Sequence, residues 1–312
     1  MRRLVSEVRT SPADLVLPLF TKEHLTAPRP IGSLPGVMQH DRDSLREAAH
    51  DAVKAGIGGL MVFAVPSERD EVGSGAIDPK GALNVAIRDV VAEVGSDIVV
   101  MADLCLDEFT SHGHCGVLAK DGSVDNDATV AQYRLMGVAL AEAGAHVVGT
   151  SGMMDGQVGA VRQALDEANF VDTAILAYAA KYASAFYGPF REAVESTLEG
   201  DRRTYQQDPA NRREAMREVR LDIAEGADMI MVKPGLPYLD VIADVAASTD
   251  IPVAAYQVSG EYAMVEAAAA QGWIDRQSAI LETVTSLRRA GADIVLSYWA
   301  QELASNLLTK AT

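Results

Sequence analysis

The stretch EGADMIMVKPG, Glu225 to Gly235, decides the architecture. A glycine follows a segment of helical period, an unbroken apolar run comes just beyond it, and a lysine closes the run. Such a run reads as a strand buried on both faces, the kind that parallel sheets carry between covering helices. Three other stretches echo it: AGIGGLMVF (Ala55 to Phe63), AGAHVVG (Ala143 to Gly149) and AGADIVLS (Ala290 to Ser297). Each reads as helix, glycine cap, strand. Working outward, the apolar runs are Leu15 to Phe20, Gly59 to Val65, Ile98 to Asp103, His146 to Thr150, Ala174 to Tyr178, Met229 to Lys233, Val253 to Gln257 and Ile294 to Tyr298. Eight is the number that closes a β/α barrel.

Helical segments fill the intervals: Asp43 to Ala55, Ala82 to Val94, Asp127 to Ala143, Gln157 to Asn169, Asn211 to Glu225, Leu239 to Ser248, Tyr262 to Gln271 and Gln277 to Ala290. The expected fold is α/β, a single (β/α)8 TIM barrel over residues 14–312 with a short N-terminal extension, 1–13. An open doubly wound sheet is the alternative, but it would carry a glycine-rich phosphate turn after its first strand. Neither GSG at Gly73 to Gly75 nor GTSGMMDG at Gly149 to Gly156 has that spacing.

Of the 312 residues, 48% are hydrophobic, enough for one large core, and no stretch approaches the roughly 20 apolar residues of a membrane span. The start MRRLVSEVRT lacks the apolar centre of a signal peptide, so a cytoplasmic location is expected. Two cysteines, Cys105 and Cys115, make no disulfide framework and point to reduced thiols. A net charge of −17 argues against nucleic-acid and membrane partners, so any anion must be held by a local site. The basic residues cluster once, at Arg191, Arg202, Arg203, Arg212 and Arg213, for which a solvated face is the plain reading.

Catalytic groups of such barrels stand at the C-terminal ends of strands. Here those positions hold Asp103, Cys105, Ser151, Lys181, Lys233, Ser259 and Tyr298. A lysine at the end of a wholly buried strand is unusual, and Lys181 occupies the matching place after the neighbouring strand. Desolvation and a second nearby cation both favour the neutral amine, which attacks a ketone to give an imine. A structural ion pair would explain one such lysine but is less apt for two.

The segments DLCLDEFTSHGHCG (Asp103 to Gly116), VDNDAT (Val124 to Thr129), GMMDGQV (Gly152 to Val158), KYASAFYGPFREA (Lys181 to Ala193), MVKP (Met231 to Pro234) and YQVSGEYAM (Tyr256 to Met264) resemble, in order, the porphobilinogen synthase (5-aminolevulinate dehydratase) family. The resemblance runs from about Asp14 to the end of the eighth strand. It implies a hydro-lyase of tetrapyrrole and heme biosynthesis that condenses two 5-aminolevulinates, each held as a Schiff base. Lys233 would hold the first, its carboxylate bound by Ser259 and Tyr298. Lys181 would hold the second, with Arg191, Arg202 and Gln206 around its carboxylate. Asp103 is the candidate acid or base, Tyr178 and Tyr256 are expected to line the pocket, and Tyr187 to Tyr205 reads as a lid.

Zinc-dependent members carry three cysteines in the loop after the third strand, and zinc-independent members carry Ala, Asp and Asp. This sequence has Cys105, Asp107 and Cys115, a hybrid that still offers a tetrahedral zinc site. His112 and His114 lie beside Cys115, where hydrogen bonding is the plainer role. The resemblance also implies magnesium at Glu218, no organic cofactor, and a homo-oligomer, an octamer in the family. Two other classes fit part of the pattern: a class I aldolase, which needs one lysine and no metal loop, and a non-catalytic metal-binding barrel, which leaves both lysines unexplained.

Overall fold

The computed structural model describes residues 4–308, so Met1–Arg3 of the expected extension and the last four residues of the expected barrel domain lie outside the described residues. All eight apolar runs form strands: β1 (Leu15–Lys22), β2 (Gly59–Val65), β3 (Val99–Leu104), β4 (Val147–Thr150), β5 (Ala174–Lys181), β6 (Met229–Lys233), β7 (Val253–Tyr256) and β8 (Ile294–Leu296). Neighbours in sequence are neighbours in space, all parallel, and β8 returns to β1 through Leu15↔Val295 and Val16↔Leu296. The sheet is therefore a closed barrel, which leaves none of these strands with a free edge.

Between the strands run α1 (Arg42–Lys54), α2 (Ala82–Val94), α3 (Asn126–Glu142), α4 (Gln157–Glu167), a short α5 (Gly188–Ala193), α6 (Arg212–Ala224), α7 (Leu239–Ser248), α8 (Ser259–Ala270) and α9 (Arg276–Ala290). Side-chain caps start three of them: the carboxylates of Asp41, Asp125 and Asp275 accept backbone N–H groups of the first turns of α1, α3 and α9. The repeated glycine has a conformational cause. Gly226 and Gly291 adopt φ of 102° and 114° as the chain leaves α6 and α9, a region that side chains rarely enter.

The departures from expectation are local and lie at strand tops. Strand β5 runs three residues past Tyr178, because Ala180 and Lys181 continue the ladder to Val232 and Lys233 after a register shift. Helix α8 begins at Ser259 rather than Tyr262, since Glu261 closes its first turn through the Val258 N–H. A ribbon of Arg29–Pro30 against Met38–His40, which no periodicity announced, pairs in parallel with the end of β1 through Phe20↔Gln39 and Thr21↔His40.

Candidate active site

Because β5 and β6 are parallel and in register at their ends, Lys181 and Lys233 stand side by side at the mouth of the barrel. Both are buried, at 5% and 6% exposure. They share a cavity of ≈ 570 Å³ with Asp103, Asp107, Ser151, Arg191, Arg202 and Gln206, roofed by Tyr187 and Phe190.

The two amines have different surroundings. Lys181 Nζ donates to the Ser151 carbonyl. Lys233 Nζ lies over four rings, 4.4 Å from the centroid of Tyr256, 5.2 Å from Tyr178, 5.3 Å from Phe190 and 5.5 Å from Tyr187. Burial and then the neighbouring Lys181 charge lower Lys233 to about 7, against the opposing pull of Asp103 and Asp107. A large fraction of it is thus the neutral, nucleophilic amine near neutral pH. Burial and the Asp107 charge push Asp103 up to about 6, while both lysines pull it down. A lysine and a carboxyl brought this close in proton affinity suit proton exchange.

The opposite wall carries charge. Burial opposes ionisation of Asp107, but Arg202 and Lys181 outweigh it and hold the carboxyl at about 2. Arg202 donates to Asp107 Oδ2 and to the Gly113 carbonyl, both at 2.8 Å. Its Nε, like Nε2 of Gln206, is buried with no protein partner, and both residues line the cavity. Such orphaned donors are costly unless a ligand meets them. They suit a carboxylate.

Beside Asp107 lie Cys105 and Cys115, both buried, with donor atoms of all three residues within 4.8 Å of one another. The hydrogen bond between the two cysteines, then Arg202, brings Cys115 down to about 7, while burial pushes the Cys105 thiol up. Two sulfurs and a carboxylate this close together, with Asp107 facing the cavity, form a donor set that fits a metal bound by three protein ligands and one exchangeable one. Tyr133 holds this loop by donating to the Cys115 carbonyl at 2.5 Å. His112 and His114 serve hydrogen bonds: His112 meets the Glu71 carbonyl at 3.2 Å, and His114 meets the Tyr205 hydroxyl at 3.1 Å.

The segment Tyr187 to Tyr205, the expected lid, lies over the cavity. Phe190 inserts its ring against Phe63 and Phe20, with centroids 5.3 and 5.8 Å away. Glu192 accepts the N–H groups of Gly32 and Ser33, and Glu195 pairs with Lys22 and Arg29, so the lid is fastened to the ribbon at the end of β1.

The structure brings Lys181, Lys233, Asp103, Arg191, Arg202, Gln206, Asp107 and the two cysteines together. Ser259 and Tyr298 sit behind the lid rather than in the cavity wall. The Ser259 hydroxyl accepts from the Phe190 N–H at 2.9 Å and donates to the Phe186 carbonyl, and Tyr298 meets the Tyr256 hydroxyl at 3.3 Å. Glu218, on α6, stands apart from the cavity, and no three-ligand group forms around it among the described residues. Sequence reasoning missed Phe190 as a wall of the lysine pocket and Ser151 as the acceptor for Lys181. The aromatic run of FYGPF was the signal for the first; a backbone carbonyl leaves none.

The family model described as delta-aminolevulinic acid dehydratase matches residues 1–306. The chain belongs to that family. Delta-aminolevulinic acid dehydratase of Streptomyces coelicolor is 61% identical over 309 residues, covering 98% of this chain and 94% of that protein. The enzyme of Mycobacterium tuberculosis is 63% identical over 306 residues, covering 97% and 93%. The crystal structure of delta-aminolevulinic acid dehydratase (porphobilinogen synthase) from Toxoplasma gondii, in complex with the reaction product porphobilinogen, matches with a TM-score of 0.94 at 44% identity. It covers 97% of this chain and 87% of that one. The family places the chain among hydro-lyases of porphyrin biosynthesis.

Proposed function

We propose that this cavity is where the chain, a porphobilinogen synthase, condenses two 5-aminolevulinates, with Lys233 and Lys181 each forming an imine to one of them. The observation that carries the assignment is the pair of buried amines in register across β5 and β6. A single-imine lyase would need only one.

The neutral Lys233 amine attacks the ketone of the first substrate and expels water, giving a C=N bond that is cationic when protonated. The rings around Nζ favour that cation without being able to take its proton. The carboxylate of this substrate would reach Ser259 and Tyr298 once the lid contacts to Ser259 give way. The second substrate forms its imine on Lys181, with Arg202, Arg191 and Gln206 on its carboxylate; guanidinium forks match that group. Loss of a proton from the carbon beside this imine gives an enamine for carbon–carbon bond formation. That enamine carbon attacks the imine carbon on Lys233, and the resulting C–N bond to Lys233 breaks by elimination as the neighbouring carbon loses a proton to form C=C. The amino group of the first substrate then adds to the imine carbon on Lys181 and displaces that lysine. A last proton lost from carbon completes the pyrrole, so two waters leave in all and both amines are returned. Asp103, in the same cavity as both amines and raised to about 6 by burial and Asp107, is the group proposed to carry protons between them.

Cys105, Asp107 and Cys115 would hold zinc, whose softer sulfur ligands argue against magnesium there. When bound, it would supply Lewis-acid polarisation next to the second substrate. Magnesium at Glu218 is proposed alongside: burial, then Asp155, raises its carboxyl, with Glu214 and Glu225 adding to a crowding that a hard cation relieves. A homo-oligomer, octameric as the resemblance implies, is supported by Trp273 and Ile274, left exposed between α8 and α9. A cytoplasmic location is proposed from the sequence; among the described residues no helix is long and apolar enough to cross a membrane.

The test is to incubate the protein with 5-aminolevulinate, assay porphobilinogen with and without zinc and chelator, and trap imines with borohydride for peptide mapping. Product with label on Lys233 and Lys181 is expected. A trapped lysine without product would assign another Schiff-base reaction.

A further inference from the structure

Helix α8 opens with Ser259, Gly260 and Glu261, and each of the three touches a different part of the machinery. The Ser259 hydroxyl bonds the lid at Phe186 and Phe190. Gly260 lies against the lid backbone: a Cβ there would stand 2.6 Å from both Cα and the carbonyl oxygen of Phe186, so no larger residue fits. The Glu261 carboxylate turns the other way, into the loop that follows Lys233. Its Oε1 accepts the Leu236 N–H at 2.6 Å, and its Oε2 accepts the N–H groups of Gly235 at 3.3 Å and Val258 at 2.7 Å.

Glu261 is fully buried, and no cation is among these partners. A buried carboxylate held by backbone N–H groups alone is expensive to keep, even with three of them, because desolvation disfavours its charge. Those donors come from two separate places: two from the turn just after Lys233, and one from the residue just before Ser259. Without the carboxylate all three N–H groups would lose their acceptor, a cost that falls hardest on the buried donors of Gly235 and Val258.

We infer that Glu261 is a positioning residue for the imine-forming Lys233, tying the turn beyond that lysine to the lid seat at Ser259–Gly260 so that lid closure and the lysine's aim are set together. The inference rests on the reading of Lys233 as an imine-forming residue. Glu261 touches no substrate; it acts through the backbone on either side of the cavity. A merely structural carboxylate would alter stability and leave the reactivity of each lysine in the folded protein as it was. A positioning carboxylate alters Lys233 more than Lys181: the two strand ends share a ladder, but the Lys181 amine is held separately by the Ser151 carbonyl and the Lys181 carbonyl by the Gln207 N–H.

The experiment compares Glu261→Gln with the unmodified protein. Gln keeps the volume but offers one acceptor oxygen and sets an N–H₂ against a backbone N–H. Borohydride trapping with 5-aminolevulinate is followed by peptide mapping of both lysines over time. In the unmodified protein, label on Lys233 is required; its absence would overturn the reading of Lys233 and leave nothing for Glu261 to position. Given that label, the variant should lose roughly tenfold in Lys233 labelling rate while Lys181 stays within about twofold, since a misplaced group costs up to about a hundredfold. Equal rates at Lys233, or equal losses at both lysines, would overturn the inference. Hydrogen exchange of the unmodified protein decides the case should the variant not fold: the amides of Gly235, Leu236 and Val258 should be protected at least about a hundredfold over an open loop, and exchange at the open-loop rate would overturn it.

Discussion

The two halves of the cavity treat the same chemical group in opposite ways. Around Lys233 the wall is dry and aromatic, and the amine is lowered to about 7 mainly by burial. Around Lys181 the wall is polar, with the Ser151 carbonyl, the Arg202–Asp107 pair and the thiols of Cys105 and Cys115 close by. A single barrel mouth thus offers two substrates of one structure two unlike environments, and an asymmetric product needs that. The aromatic half desolvates its amine and so holds the proton loosely. The charged half can gather a carboxylate and a metal.

The largest effect expected comes from removing either amine. Lys233→Met and Lys181→Met should each cut product formation by at least about 10³-fold. The halves should still differ under borohydride: Lys181→Met should keep its label on Lys233. A label that vanished from both positions in that variant would mean the halves do not act separately.

Next in size is the metal wall. Cys115→Ala should lower bound metal, read by elemental analysis, and reduce activity by roughly a hundredfold, while Lys233 labelling changes little. Unchanged activity with no bound metal would remove the metal from the comparison and leave Cys105 and Cys115 as packing.

A smaller effect follows from pH. Lys233 is lowered, so the reactive neutral form dominates above about 7 and shrinks below it. Its labelling rate should fall close to tenfold per unit below that point and level off above it. Replacing a ring with Tyr256→Leu removes a contact that favours the cation, and admits water that also favours it. A shift of the midpoint downward would show that ring loss outweighs hydration, and an upward shift the reverse.

The barrel was legible in the sequence because its strands are buried on both faces, so EGADMIMV and AGADIVLS announce themselves without alternation, and the glycines at positive φ mark where each begins. The strand tops were less legible. Nothing in AYAAK tells that β5 runs on to Lys181, because small alanines suit a strand and a turn alike, and the register with β6 decides it. Both lysines, Asp103 and Cys105 were readable as residue types foreign to a buried strand end, whereas Asp107 and Cys115, in the loop beyond, were reached through the family resemblance. Phe190 and Glu261 were not, since an aromatic or a glutamate is ordinary in its own segment and becomes functional only through what a distant loop places beside it. Ser259 and Tyr298 were readable as strand-top polar residues, yet their hydroxyls meet the lid and Tyr256 here.

The seam between β8 and β1 joins Leu15 to Val295, residues at nearly opposite ends of the chain. On a ribosome the start of the first strand must therefore wait, its edge at Leu15 and Val16 unpaired, until β8 has emerged. A chain stopped before β8 would leave both β1 and β7 open as templates for another molecule's strands. Premature termination late in synthesis should yield aggregates rather than a slightly smaller barrel.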